Sequence, residues 1–506
     1  MKKLLCLLII LSAALSVSAA ETRYKPREMY TWDTWREEAD GLMHMYYLQL
    51  RPEKTQARED AGDWLGHATS TDLIHWTEHP YALGPGPAGT LDELQPWTGC
   101  AVWHEGKMYL YYTMRVVPEQ RIGLAISEDG GYTFERYKGN PVIVPDDRWY
   151  IGSRDVIGCI DCRDMCIVRE GDWWIGYFAA RTKGPSPSAT ACIGCARSKD
   201  LLHWEQLPPA FAPGKYACIE VPDVFYLNGK WYLTVLSAHG YGNRGFYRDS
   251  HVTAATIYAV SDSPYGPFKE LKEGQILITD KGGYSCRSVM FRGKRYEMFT
   301  QDVFLSRPYE MKTDARHRLY LAYPWDIPEA RLGTEADPAA LPAPQNICAH
   351  GAWNFMEGRW TGSGGHYKGS AKTGWQSAKI ITDGTDNMEL EADITIKKGA
   401  CGIIFHDAKG WDASNSDAGV IFDAGERTCY ITPVMAFDKN ENARDCGIKA
   451  GKKFHVHLVR YSNRLDVFID GRLANQGKCD VPGDVRGVNL LIDRGEAEVV
   501  ITSLRK

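Results

Sequence analysis

The chain has little that would tie it to a membrane, a nucleic acid or a metal. Beyond residues 1–20, no stretch approaches the ~20 consecutive apolar residues that cross a bilayer, so no membrane insertion is expected. Positive charge is not in excess: the formal net charge is −5, which gives no reason to expect a nucleic acid or an anionic lipid surface as partner. The 14 histidines are scattered without H-E-x-x-H or another ligand cluster, so neither a catalytic metal nor a cofactor is expected. Long helical periodicity is absent as well, which leaves strands to build the fold.

Cysteine is present but does not read as a metal site. Of 14 cysteines, Cys6 lies in the leader; the remaining number is odd, so at least one thiol is free or intermolecular. Cys159, Cys162 and Cys166 are close in sequence, as are Cys192 and Cys195. In the strand ACIGCAR, however, positions i and i+3 face opposite ways, which opposes chelation and favours buried thiols or a disulfide. The leader itself, MKKLLCLLIILSAALSVSAA, has two lysines, an apolar core and small residues at its end, the pattern of a secretory signal peptide. Its removal takes Lys2 and Lys3 and moves the charge to −7; the mature chain is expected to be secreted or periplasmic.

What the sequence does have is repetition. A glycine followed by an aromatic, apolar strand recurs as GLMHMYYLQL at Gly41, GKMYLYYTMR at Gly106, GDWWIGYFAAR at Gly171, GKWYLTVLSA at Gly229 and GKRYEMFTQ at Gly293, at intervals of 65, 65, 58 and 64 residues. A second unit, a Ser followed by an acidic turn and an aromatic, recurs as STDLIHW from Ser70, SEDGGYTF from Ser127, SKDLLHW from Ser198 and SDSPYGPF from Ser261. Five copies, each long enough for four short strands, predict an all-β, five-bladed β-propeller over residues 21–325. The glycine unit is read as an inner hairpin strand and the serine unit as a turn between outer strands. Residues 326–350, rich in proline and alanine, read as a linker. Alternation returns in MELEADITI, KFHVHLVR and RLDVFIDGR, so residues 351–506 are expected to form a C-terminal antiparallel β-sandwich covering the propeller flank. Sixteen tryptophans and 27 tyrosines suit sugar faces, although large β-folds also use aromatics in their cores.

Counting back from the glycines places acids at the starts of the innermost strands. Asp33 stands eight residues before Gly41, Asp164 seven before Gly171 and Glu220 nine before Gly229, while blades two and five hold Thr98 and Ser285. A single such acid is more simply a turn or cap residue; three near one register, where propeller strands converge on the axis, point to a site. Three carboxylates cannot all ionise cheaply in one pocket, which separates a general acid from an ionised partner. Arg163 beside Asp164 would help keep a carboxylate ionised, and Ile219 and Val221 suggest an apolar setting for Glu220. Trp32, Trp64 and Trp97 are candidate walls of a sugar pocket, or equally blade-packing core.

These segments resemble glycoside hydrolase family 32, the invertases and fructanases. The resemblance is carried by WLGHATSTDLIHWTEHPYAL, by Arg163-Asp164-Met165 (similar to the family's R-D-P) and by Glu220-Val221-Pro222-Asp223 (similar to E-C-P-D). QPWTGCAV is similar to the sugar-contacting F-S-G-S-A-V, mapping onto Trp97 and Thr98; HMYYLQLRP resembles H-L-F-Y-Q-x-N-P, with Gln49 displaced by one. TWDTWREEADG keeps Trp32 and Asp33 of the first motif but lacks its P-N-G and is one residue shorter, which leaves Asp40 as a second candidate. The resemblance implies a propeller plus sandwich, an oligo- or polysaccharide substrate, Asp33 as nucleophile, Glu220 as general acid/base and Asp164 as transition-state stabiliser. Trp32, Gln49, Trp64, Trp97, Thr98 and Arg163 would bind substrate. A β-fructoside such as sucrose, levan or inulin is then the expected substrate. The related family 43 layout, an inverting α-L-arabinofuranosidase with Asp33 as general base, and a non-catalytic glycan-binding propeller remain open alternatives.

Overall fold

The repeated glycines close two-residue hairpins. Asp40-Gly41, Glu105-Gly106, Asn228-Gly229 and Arg292-Gly293 hold both residues at positive φ, the conformation whose twist matches paired antiparallel strands. In the third repeat the glycine takes the first loop position instead, as Gly171-Asp172. A computed structural model describes residues 22–506 apart from 51–63, 117–118, 153–159, 185–188, 238–254, 272–275, 280–282, 348–357, 408–417, 434–442, 480 and 482–484. The leader, Cys159, and Arg51 and Pro52 of HMYYLQLRP lie outside the described residues.

The hairpins join five innermost strands to five second strands. The innermost ones are Tyr30–Ala39, Gln95–His104, Arg163–Glu170, Glu220–Leu227 and Tyr284–Phe291. Each starts a sheet of four strands in sequence order, with one short extra strand in the fourth and fifth sheets. The Ser-x-Asp unit turns the chain between third and fourth strands. Ser70 Oγ accepts from the backbone N–H groups of Asp72 (3.1 Å) and Leu73 (2.9 Å), and Asp72 Oδ1 from those of Ile74 (2.8 Å) and His75 (2.7 Å). The same pattern recurs at Ser198 and Asp200, and a variant of it at Ser127 and Asp129. The first inner strand packs between those of the second and fifth blades, closing the ring, and Thr31 N–H donates to Val303 O at 3.1 Å across the closure. The chain is thus a five-bladed β-propeller followed by a C-terminal antiparallel β-sandwich.

Each apolar core of the propeller lies between two blades. Trp35 and Tyr46 pack with Leu110 and Tyr112 between blades one and two, and Tyr111 and Ile122 with Phe178 and Cys192 between blades two and three. The aromatic richness of the glycine units is therefore largely inter-blade packing: Tyr46, Tyr47, Tyr111, Tyr112, Tyr177 and Tyr232 are fully buried. Cys192 and Cys195 face opposite sides of their strand, in two different cores, and no disulfide joins two of the described cysteines.

The stretch read as a linker is not a bare tether. Prolines 328 and 338 open short 3-10 turns, Glu335–Ala336 pairs with Leu504 and Arg505, and Gln345–Ile347 pairs with Ser377–Lys379; residues 348–350 lie outside the described residues. In the C-terminal sheet system two long, bulged strands, Met388–Asp407 and Val485–Arg505, pair along most of their length over a core of Ile, Val and Leu. It docks on the fifth blade through a shared cluster with Phe299, Tyr309, Tyr461 and Phe468, and Tyr309 Oη donates to Asp466 Oδ2 at 2.8 Å.

Candidate active site

The hairpin register, rather than the glycine, gives the true alignment of the blades. Counting eight residues back from the second loop position lands on Asp33, Thr98, Asp164, Val221 and Ser285. In every blade the pairing between first and second strands slips there: a bulge interrupts the ladder. Four of the five residues have left-handed φ, 40° at Asp33, 61° at Asp164, 51° at Val221 and 60° at Ser285. The one-residue mismatch at Asp164 came from the shifted glycine of blade three. The mismatch at Glu220 is real: it stands one place before the bulge position, which Val221 occupies. Glu220 therefore belongs with Trp32, Trp97, Arg163 and Tyr284, the residues preceding the other four bulges. Val221 at positive φ is strained for a β-branched side chain, and its N–H donates to Asp164 Oδ2 at 3.1 Å.

Asp33 is 7% exposed, and its Oδ2 accepts from Thr98 Oγ at 2.5 Å while Oδ1 is buried without a partner. Burial pushes its carboxyl up to about 6; the Thr98 and Ser285 hydroxyls and the Arg287 charge pull it down, and Glu220 pushes it up. Asp164 is pushed further, to about 7, chiefly by burial and also by Glu220 and Asp33, against the pull of Arg163 and of the Val221 N–H. Glu220 accepts from Tyr284 Oη at 2.8 Å through Oε1 and from Arg163 Nη2 at 3.1 Å through Oε2. Ile219 and Val221 are each 2% exposed, but their apolar surroundings are not those of the carboxyl, which lies between a guanidinium and a phenol. Successive strand residues point to opposite sides, so sequence neighbours do not describe a side chain's own setting.

Arg163 is the hub. Its Nε lies 3.3 Å from Asp164 Oδ2, its Nη1 3.0 Å from Asp161 Oδ1, and its Nη2 also donates to Cys218 Sγ at 3.2 Å. Asp161 pairs in turn with Arg181, and these two guanidiniums keep its carboxyl low despite burial. One arginine thus ties Asp164 to Glu220, while Asp33 is held by the Thr98 hydroxyl. Such a set offers one carboxyl in a position to attack or to activate water, another able to exchange a proton, and fixed charge to stabilise a cationic sugar.

The other expected residues divide. Trp32 packs at a tilt on Tyr284 with ring centroids 4.6 Å apart and precedes Asp33, and Trp97 lies under the Arg115 guanidinium at 4.4 Å and precedes Thr98; both are half-buried. Trp64 stacks on Tyr81 at 4.0 Å and covers Gly84, where a Cβ would meet the ring at 2.0 Å. Gln49 sits on the second strand opposite Thr31 with its amide over Gly66 and against Tyr47. Asp40 is exposed in the hairpin at the opposite end of the strand from Asp33, which removes it as the first carboxylate. The sequence reading missed Tyr284, Arg287, Asp161 and Thr113, whose hydroxyl accepts from Asp164 N–H at 3.1 Å. Tyr284 had a signal, since it precedes Ser285 as Trp32 precedes Asp33. Among the described residues no cluster of His, Cys, Asp or Glu is arranged to hold a metal ion, and no helix is long and apolar enough to cross a membrane.

The chain is similar to known proteins in sequence and in fold. An invertase of Schwanniomyces occidentalis is 30% identical over 255 residues, covering 44% of this chain and 43% of that protein. A sucrose-6-phosphate hydrolase of Escherichia coli is 28% identical over 225 residues, 41% of this chain and 43% of that protein. The match spans less than half the length of these curated relatives. Among solved structures, the GH32 β-fructofuranosidase of Bombyx mori superposes with a TM-score of 0.64 at 18% identity, covering 96% of this chain and 94% of that one. The exo-inulinase of Aspergillus awamori gives 0.66 at 15% identity, with 96% and 97% covered. At those identities the likeness is one of fold. Residues 37–297, more than half of the chain and including Asp164 and Glu220, match the glycosyl hydrolases family 32 N-terminal domain, and the chain belongs to that family.

Proposed function

We propose that the protein is an exported glycoside hydrolase that cleaves β-fructosides such as sucrose, levan or inulin. Asp33 is the nucleophile, Glu220 the general acid/base, and Asp164 binds the sugar hydroxyls and stabilises the oxocarbenium-like transition state. The observation that carries the reading is the joining of Asp164 and Glu220 by Arg163 at one end of the propeller axis, with Asp33 in the same electrostatic cluster. Burial raises the Asp33 and Asp164 carboxyls to about 6 and about 7, so the cluster holds a proton near neutral pH and one group can be acid while another is charged. Tyr284 donates to Glu220 and packs at a tilt on Trp32, fixing the acid beside an aromatic wall. Export rests on the composition of residues 1–20. The names of the relatives support fructosides over arabinofuranosides as substrates.

The test is release of monosaccharide from sucrose, levan, inulin and aryl arabinofuranosides by the purified protein. Free fructose is expected. Activity on arabinofuranosides alone would overturn the substrate, and no cleavage of any of them would overturn catalysis. Glu220→Gln should lower kcat by roughly 10²–10⁴-fold with an unchanged circular dichroism spectrum, and an unaffected variant removes Glu220 from the acid/base role.

A further inference from the structure

Arg163 has no donor to spare. A guanidinium carries five N–H groups. Here Nε faces Asp164 Oδ2 at 3.3 Å, Nη1 donates to Asp161 Oδ1 at 3.0 Å and to Gln120 Oε1 at 3.3 Å, and Nη2 donates to Glu220 Oε2 at 3.1 Å and to Cys218 Sγ at 3.2 Å. Every group meets an acceptor of the protein itself, and none is left over for a sugar hydroxyl. The edge formed by Nε and Nη2 looks to Asp164 and Glu220. The far corner is held by Asp161, an acid the mechanism does not use.

Asp161 is itself gripped from behind. Its Oδ2 accepts from Arg181 Nε, at the end of the second strand of blade three, and Arg181 Nη1 reaches Thr190 Oγ at 3.3 Å. The Asp161 and Arg181 side chains are each 14% exposed. Burial pushes the Asp161 carboxyl up, but the Arg163 and Arg181 charges outweigh it and hold it below the usual range, so the group is ionised near neutral pH. Two guanidiniums therefore serve three carboxyls, and the fixed charge on Asp161 limits what Arg163 can give to Asp164 and Glu220.

We propose that Asp161 is a positioning residue for the reaction: it anchors the far corner of Arg163 and, with Arg181, sets the share of that guanidinium's charge that reaches Asp164 and Glu220. This role rests on the reading of those two carboxyls as working groups of the site. Two neighbours of opposite sign then act in opposite directions. Removing the Asp161 charge leaves Arg163 wholly to the site's acids, so the site gives up its proton at lower pH. Removing the Arg181 charge leaves Asp161 to Arg163 alone, and the site holds its proton to higher pH. The other charged and titratable groups around them are Asp33 from blade one, the Glu119–Arg121 pair from blade two, Cys162 and Cys218 at the starts of inner strands, and Tyr284 and Arg287 from blade five. Both changes leave these in place.

The deciding measurement is the pH–rate profile of the whole protein on sucrose. Asp161→Asn keeps an oxygen for Nη1 but not the charge. It should move the alkaline limb to lower pH by roughly half a pH unit or more, with kcat reduced severalfold at pH 8 and near native at pH 5. Arg181→Gln should move the same limb to higher pH. A limb that stays in place in both variants, or moves the same way in both, overturns the proposal, and so does a loss of kcat equal at every pH. Should Asp161→Asn fail to fold, the direction of the Arg181→Gln shift decides alone. Infrared titration of the protonated carboxyl band in the same proteins makes the comparison without a substrate. A native protein that cleaves no sugar overturns the function, whereas opposite movements of that band support the sharing of charge and unmoved bands overturn it.

Discussion

The two ends of the propeller axis are built by the same five strands and carry different sets of side chains. At one end the strands bulge, and consecutive residues, Trp32-Asp33, Arg163-Asp164 and Glu220-Val221, are both brought into the site region; carboxyls collect there with a single arginine between two of them. At the other end pairing is regular, and Arg36, Arg287 and Arg295 collect there with Glu37 and Asp223. The difference shows what a bulge does for a propeller: it breaks the strict alternation that sends every second side chain into the blade and doubles the density of functional groups at one mouth. It also shows that the ends are coupled. Arg287 lies in the distal cluster, yet it holds the Asp164 and Met165 carbonyls and its charge pulls the Asp33 carboxyl down.

The largest expected effect comes from removing charge at the acid end. Asp33→Asn should lower kcat by roughly 10³-fold or more, as loss of a group that acts in the transition state does. It should also stabilise the fold. Burial raises the Asp33 carboxyl from an ordinary 3.8 to about 6, so the folded state prefers the neutral form. The stability associated with that proton is present below pH 3.8 and is lost as pH rises through about 6. Above that pH the ionised group costs on the order of 2–3 kcal/mol, which asparagine removes. Melting temperatures at pH 4 and pH 8 check this: the variant should gain on the native protein only at the higher pH.

Arg287→Gln should weaken the coupling between the ends. A fall in kcat on the order of 10-fold or more is expected from displacing the acid-bearing strand. The acid limb of the pH–rate profile should also move to higher pH, because a positive charge near Asp33 is gone. A stability loss with an unmoved acid limb would make Arg287 purely structural. The smallest effect belongs to Thr98→Val. Removing one hydroxyl from the Asp33 carboxylate should raise the acid limb by a fraction of a unit and lower activity less than tenfold, measured on sucrose across the pH range.

Much of this was legible in the chain. The five glycine units mark hairpins because a two-residue turn of the required twist needs residues that tolerate positive φ, and that need leaves a trace at every blade. Asp33 and Asp164 were found by counting from those turns. Glu220 was found by the same count although it stands one place before the bulge residue Val221, while the apparent offset of Asp164 came only from blade three's glycine taking the first loop position. Tyr284 was legible in principle, as the residue before a bulge. Arg287 was not: nothing local distinguishes it from any strand arginine, and its partners Asp164 and Met165 lie more than a hundred residues away.

The sequence by itself determined the number of blades, the chain position of each inner strand and the residues that start them, because turn chemistry and alternation are local constraints written into neighbouring residues. Only the tertiary structure decided which of those residues share the axis, that Glu220 lies between Arg163 and Tyr284, and that Arg287 reaches the backbone of Asp164. Burial and charge balance depend on what the other four blades bring to the same few ångströms, and that is a property of the closed ring.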